Sequence, residues 1–123
     1  MKPKIVTFLP GGVWFIITFI LLILPGSDIP KADFFDIVYF DKWVHIGMFG
    51  LLTILWCYPF LLSGLGTKRL FLKIALGVIL YGISMEFVQK YFASERSFDM
   101  YDILADSTGA ILAFILMRIR LKK

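Results

Sequence analysis

Residues 70–92 read LFLKIALGVILYGISMEFVQKYF. A stretch of this length matches the ~20 residues that a helix needs to cross ~30 Å of hydrocarbon, at ~1.5 Å of rise per residue. Three more stretches of the same kind occupy residues 5–24, 43–62 and 100–117. Backbone in lipid must satisfy its own hydrogen bonds, so each is expected to be a helix. The fold class that follows is all-α: a polytopic membrane protein built as a four-transmembrane-helix bundle. Residues 1–123 read as a single domain, since no length is left for a second. Composition agrees. The chain is 59% hydrophobic and only 18% charged, where a soluble domain carries about 25% charged residues. Its mean hydropathy is +0.85.

The first span contains Pro10, Gly11 and Gly12, so its helix either starts near Pro10 or kinks there. Pro25 and Gly26 end it. Lys2 and Lys4 resemble the basic start of a signal peptide, but the apolar core is long and no small-x-small cleavage site follows; the expectation is an uncleaved anchor. Sidedness follows from lysine and arginine. Lys2, Lys4, Lys68, Arg69, Lys73, Arg118, Arg120, Lys122 and Lys123 fall on one side, against Lys31, Lys42, Lys90 and Arg96 on the other. The basic side is expected to be cytoplasmic, with both termini there. The positive balance thus reads as topology, and no nucleic-acid partner is expected. The loop 26–42 mixes aromatic residues with aspartates and suits an outer interfacial segment, either an ordinary aromatic belt or a lid. The one cysteine, Cys57, excludes an internal disulfide and reads as a small packing residue. Trp14, Trp43 and Trp56 read as bilayer anchors or packing residues.

Polar residues gather at the outer ends of three spans. Asp41 and His45 share a face of the second, with Lys42 beside them. Glu86, Gln89 and Lys90 share a face of the third, and Asp99, Asp102 and Asp106 a face of the fourth. Glu86 and Asp106 lie ~9 Å inside their spans. An ionised side chain costs ~2.5–3.5 kcal/mol at the centre of a bilayer, so these groups are expected to face one another or a wet cavity. Gly109 and Ala113 line up with Asp102 and Asp106, Gly47 and Gly50 flank the polar end of the second span, and Gly77 and Gly82 thin the third. Small residues at such spacing allow close helix approach.

The acids Asp41, Glu86, Glu95, Asp99, Asp102 and Asp106 outnumber the bases Lys42, Lys90 and Arg96. Crowded carboxylates in low dielectric do not all stay ionised; either some hold protons or a cation is bound. Three alternatives stand open. The groups form an architectural hydrogen-bond network; or they form a site for substrate binding or proton transfer; or they hold a divalent cation through Glu86, Asp102, Asp106 and His45. Oxygen ligands with one histidine suit Mg, Ca or Mn better than structural zinc. Arg96 is placed to clamp a carboxylate or phosphate, or to pair with Glu95 or Asp99. No nucleophile with an adjacent base and no phosphate loop is evident. Transport is the weakest alternative, because the polar groups stay at one end and do not run through the bilayer.

The ordered set Asp41-Lys42-x-x-His45, Glu86-x-x-Gln89, Arg96-x-x-Asp99-x-x-Asp102 and Asp106-x-x-Gly109 resembles the VanZ-like membrane proteins, from Asp41 to the C-terminus. An asparagine often stands in that family where Asp106 stands here, and a glycine where Ala113 stands. The resemblance therefore implies hydrogen bonding at Asp106 and makes Glu86 the safer acid–base candidate. It further implies a largely bacterial cell-envelope role, linked through the founding member to low-level teicoplanin resistance, and supplies no reaction. The expected function is binding or modification of a lipid-linked or glycopeptide-like molecule. The expected acid–base group is His45, Glu86 and Asp106; the expected substrate contacts are Asp41, Lys42, Gln89, Arg96, Asp99 and Asp102. The alternative is a non-catalytic accessory module. Oligomeric state is left open.

Overall fold

The structure is a computed structural model, and it describes residues 2–23, 40–92 and 100–121, with Phe40 and Asp41 described by their backbone alone. A 3-10 turn, Ile5–Phe8, leads into α1, Leu9–Ile23; α2 is Phe40–Ser63, α3 Lys68–Phe92 and α4 Met100–Arg120. Among the described residues, four helices are long and apolar enough to cross a membrane. No strand occurs among the described residues. Most of the loop 26–42 lies outside the described residues, except that Phe40 to Lys42 belong to α2.

The ends of the helices depart from the apolar stretches for local reasons. Pro10 sits in the first turn of α1, after the 3-10 turn, where its missing N–H costs nothing. Thr67 caps α3: its Oγ1 accepts the Leu70 N–H at 3.0 Å and its carbonyl the Phe71 N–H at 2.9 Å. Lys68 and Arg69 are thereby helical although they are polar. Helix α4 likewise runs on through Arg118 to Arg120, with cations near its negative end. At the close of α2, Gly64 has φ +79°. The Gly64 N–H reaches the Leu61 carbonyl and the Leu65 N–H the Phe60 carbonyl, the two bonds of a Schellman cap. Pro59 lies inside α2, buried, and removes one bond from its last turns.

Helices α2 and α3 form the middle of the bundle, with α1 packed on one side of them and α4 on the other; no Cα of α1 comes within 8 Å of one in α4. The α2–α4 contact is the most extensive. The inward face of α4 is made of Asp102, Ala105, Asp106, Gly109, Ala110, Ala113 and Met117, a helical repeat of mostly small residues. Gly50 and Gly109 meet there: a Cβ at Gly50 would lie 3.2 Å from the Gly109 carbonyl oxygen, and a Cβ at Gly109 would fall on the carbonyl oxygen of Ile46. A middle layer of Phe49, Leu52, Ala75, Val78, Met85 and Ala110 is buried and apolar. Below it Cys57 packs with Phe71 and Met117, as a small apolar residue. The outward faces carry leucines and isoleucines such as Leu80, Leu104, Leu112 and Ile119, while the buried set includes His45, Glu86, Gln89, Asp102 and Asp106. Apolar outside and polar inside is the arrangement a bilayer favours.

Candidate functional site

Four helix ends define the polar end of the bundle: the C-terminus of α1, the N-terminus of α2, the C-terminus of α3 and the N-terminus of α4. Two cross-links join α2 to α4 there. Lys42 Nζ donates to Asp102 Oδ1 at 2.7 Å. One turn deeper, His45 Nδ1 and Asp106 Oδ1 are also 2.7 Å apart. The spacing 42 to 45 on α2 and 102 to 106 on α4 stacks each pair on one helix face, so the two bonds lie one above the other. His45 Nε2 is 3.7 Å from Asp102 Oδ1, close in charge but too far for a hydrogen bond.

Helix α3 closes the site from the other side. Asp106 rests on Gly82: a Cβ there would lie 2.7 Å from Asp106 Oδ2 and 3.1 Å from Asp106 Cβ. Glu86, one turn along α3, is 1% exposed, like Asp106. Gln89 is as deeply buried, and its Nε2 donates to the carbonyl of Leu22 at 2.8 Å. That carbonyl belongs to the last turn of α1, Leu9–Ile23, and the final carbonyls of a helix take partners from outside it. Gln89 therefore ties α1 to α3.

The structure thus brings together Lys42, His45, Glu86, Gln89, Asp102 and Asp106. Arg96 and Asp99 lie outside the described residues, and so does the side chain of Asp41. Among the described residues, no group of three or more His, Cys, Asp or Glu side chains is arranged to hold a metal ion. Within the acid–base group, His45 and Asp106 form a close pair.

Sequence reasoning missed the part played by α1. Trp14 Nε1 donates to the Met48 carbonyl at 2.9 Å. Thr18, wholly buried, donates its hydroxyl proton to the Phe15 carbonyl at 2.8 Å. Tyr81 is then the donor in its 3.0 Å contact with Thr18 Oγ1. The Tyr81 ring lies against both Phe15 and Phe49, and Phe49 is parallel to the His45 imidazole with centroids 6.2 Å apart. The available signal was Thr18 itself, a hydroxyl interrupting an otherwise apolar run.

The sequence model of the VanZ/LLP1 family matches residues 5–121. The chain belongs to the VanZ/LLP1 family. Among curated proteins it is similar to a fission yeast one, Uncharacterized protein C11E3.10 of Schizosaccharomyces pombe, with 34% identity over 98 residues. That match covers 80% of this chain and 59% of the yeast protein, so the chain spans well under two thirds of that relative's length. No solved structure matches. The VanZ/LLP1 match includes α1, whose hydrogen bonds to Met48, Tyr81 and Gln89 make it part of the same bundle as the polar end.

Proposed function

We propose that this VanZ/LLP1 protein is a cell-envelope protein whose polar end faces away from the cytoplasm, binds a lipid-linked molecule there, and acts on its head group by acid–base chemistry centred on His45. The observation that carries this is the 2.7 Å pairing of His45 with Asp106 inside membrane-spanning helices. A clamp between two helices needs no ions: well-packed apolar residues of similar volume do as well or better. Ionisable groups kept at such depth mark function by default.

The roles follow from the geometry. With Asp106 ionised, His45 Nδ1–H donates to it, and the lone pair of Nε2 is left on the side of Asp102. Nε2 is the atom that takes a proton from a hydroxyl or water, and Asp102 at 3.7 Å stabilises the imidazolium that results. Asp106 fixes the tautomer. An asparagine at that position keeps a hydrogen bond, which agrees with positioning rather than proton transfer. Lys42, the least buried member, meets the anionic part of the ligand. A yeast relative favours a lipid-linked ligand over a glycopeptide-like one, because lipids are common to both kinds of cell.

In a teicoplanin-sensitive bacterial host, the wild-type chain is expected to raise the inhibitory concentration. His45→Ala, Glu86→Ala and Asp106→Ala are expected to abolish that effect with the protein still present in the membrane. Disappearance of the folded protein in all three would overturn the acid–base role and leave the network architectural.

One pair of observations favours a second, non-catalytic reading. Lys42 binds Asp102, and Gln89 binds the α1 backbone, so both act as struts between helices. An accessory module of this kind binds without turnover and tolerates Asp106→Asn.

A further inference from the structure

At the end of the bundle opposite the polar site, the 3-10 turn carries the N-terminal segment across the close of α2. Phe8 lies against Trp56 and Phe60, which holds the turn in place. Between the two elements is a hollow of about 280 Å³ lined by Lys2, Lys4, Thr7, Pro59, Leu62 and Ser63. Among the described residues, neither His45 nor any Asp or Glu takes part in it.

We propose that this hollow binds the head group of an anionic phospholipid from the leaflet it faces. Its donors are the two lysines, both exposed. The hydroxyls are already engaged, Thr7 donating to the Lys4 carbonyl at 2.5 Å and Ser63 to the Phe60 carbonyl at 3.2 Å. Recognition therefore rests on two ammonium groups, which attract a phosphate as point charges. The field around them has one sign: Lys68, Arg69, Lys73, Arg118 and Arg120 share this end, and every described Asp and Glu lies at the other.

The remainder of the lining selects a lipid over a soluble anion. Pro59 and Leu62 give the hollow an apolar floor. Ile5, Val6 and Leu65, close in sequence to the lining residues, are exposed where the apolar spans end. A phosphate over the lysines with its first methylenes on the floor satisfies both halves, and basic pockets of this kind suit anionic head groups. The site is independent of the chemistry proposed for the polar end.

The test is native mass spectrometry of the full chain in neutral detergent, offered phosphatidylglycerol and phosphatidylcholine of the same acyl composition. Phosphatidylglycerol is expected to be retained preferentially. Lys2→Gln with Lys4→Gln should reduce that preference about fivefold per lysine removed, while Lys2→Arg with Lys4→Arg should keep it. Arg118→Gln with Arg120→Gln removes the same charge from the same end and should leave the preference largely intact. Equal retention of the two lipids overturns the proposal. Equal loss in both glutamine doubles also overturns it, because the attraction is then diffuse. Displacement of the lipid by millimolar inorganic phosphate overturns it in favour of a free anion.

Discussion

The position where a single atom matters most is Asp106. Its carboxylate is held between His45 on α2 and Gly82 on α3. Removing it leaves a buried imidazole nitrogen without its acceptor, at a cost of about 2 kcal/mol. Asp106→Ala is therefore expected to lower the melting temperature in detergent, and Asp106→Asn to restore most of the loss. The same site should be open to attack from the other side. Gly82→Ala puts a methyl group 2.7 Å from Asp106 Oδ2 without altering any polar residue. It is expected to disrupt the His45–Asp106 pair, seen as a shift of the imidazole resonances, and to copy the functional loss of Asp106→Ala. A glycine whose substitution leaves those resonances unchanged would not be part of the site.

Among the elements, α2 and α4 are the pair that admits least change. Gly109→Ala drives a Cβ onto the Ile46 carbonyl, which is backbone and has no rotamer by which to retreat. The expected cost is at the upper part of the ~1–3 kcal/mol range for overpacking. Gly47 and Gly77 are the controls: a Cβ at either meets nothing within 4 Å. Gly47→Ala and Gly77→Ala should be neutral or slightly stabilising, since alanine is the better helix former by ~1 kcal/mol. Chemical unfolding of the three variants in one detergent checks the ranking. Helix α1 is the other extreme. It buries only Gly11, Thr18 and Leu22 and is held by the bonds from Trp14, Tyr81 and Gln89. Gln89→Leu is expected to release its last turn, so that amide exchange there quickens while exchange in α4 does not change.

For the molecule as a whole, the expectation from four helices able to span a membrane is that both chain ends lie on one side, and that the basic end is the cytoplasmic one. A reporter that is active only in the cytoplasm, fused after Lys123, is expected to be active; one that is active only outside should stay dark. The spans were legible in the sequence, and so was the burial of His45, Glu86, Gln89, Asp102 and Asp106 toward one end of them, because hydrocarbon length sets a helix to about 20 residues and because burying a charge costs too much to happen by accident. Helix faces were legible too: Asp102 with Asp106, and Glu86 with Gln89, follow from the helical repeat alone. A repeat gives the face of one helix and says nothing of how two helices are turned toward each other. The partner of His45 was thus left open between Glu86 and Asp106, and the glycines that approach backbone could not be told from those that face lipid. Those questions were decided only in three dimensions, where Gly109 lets α4 close on α2 and carries Asp106 to His45. The physical reason is that solvent cost is a property of each residue, whereas a hydrogen bond between helices depends on their rotation and separation, which the packing of the whole bundle sets.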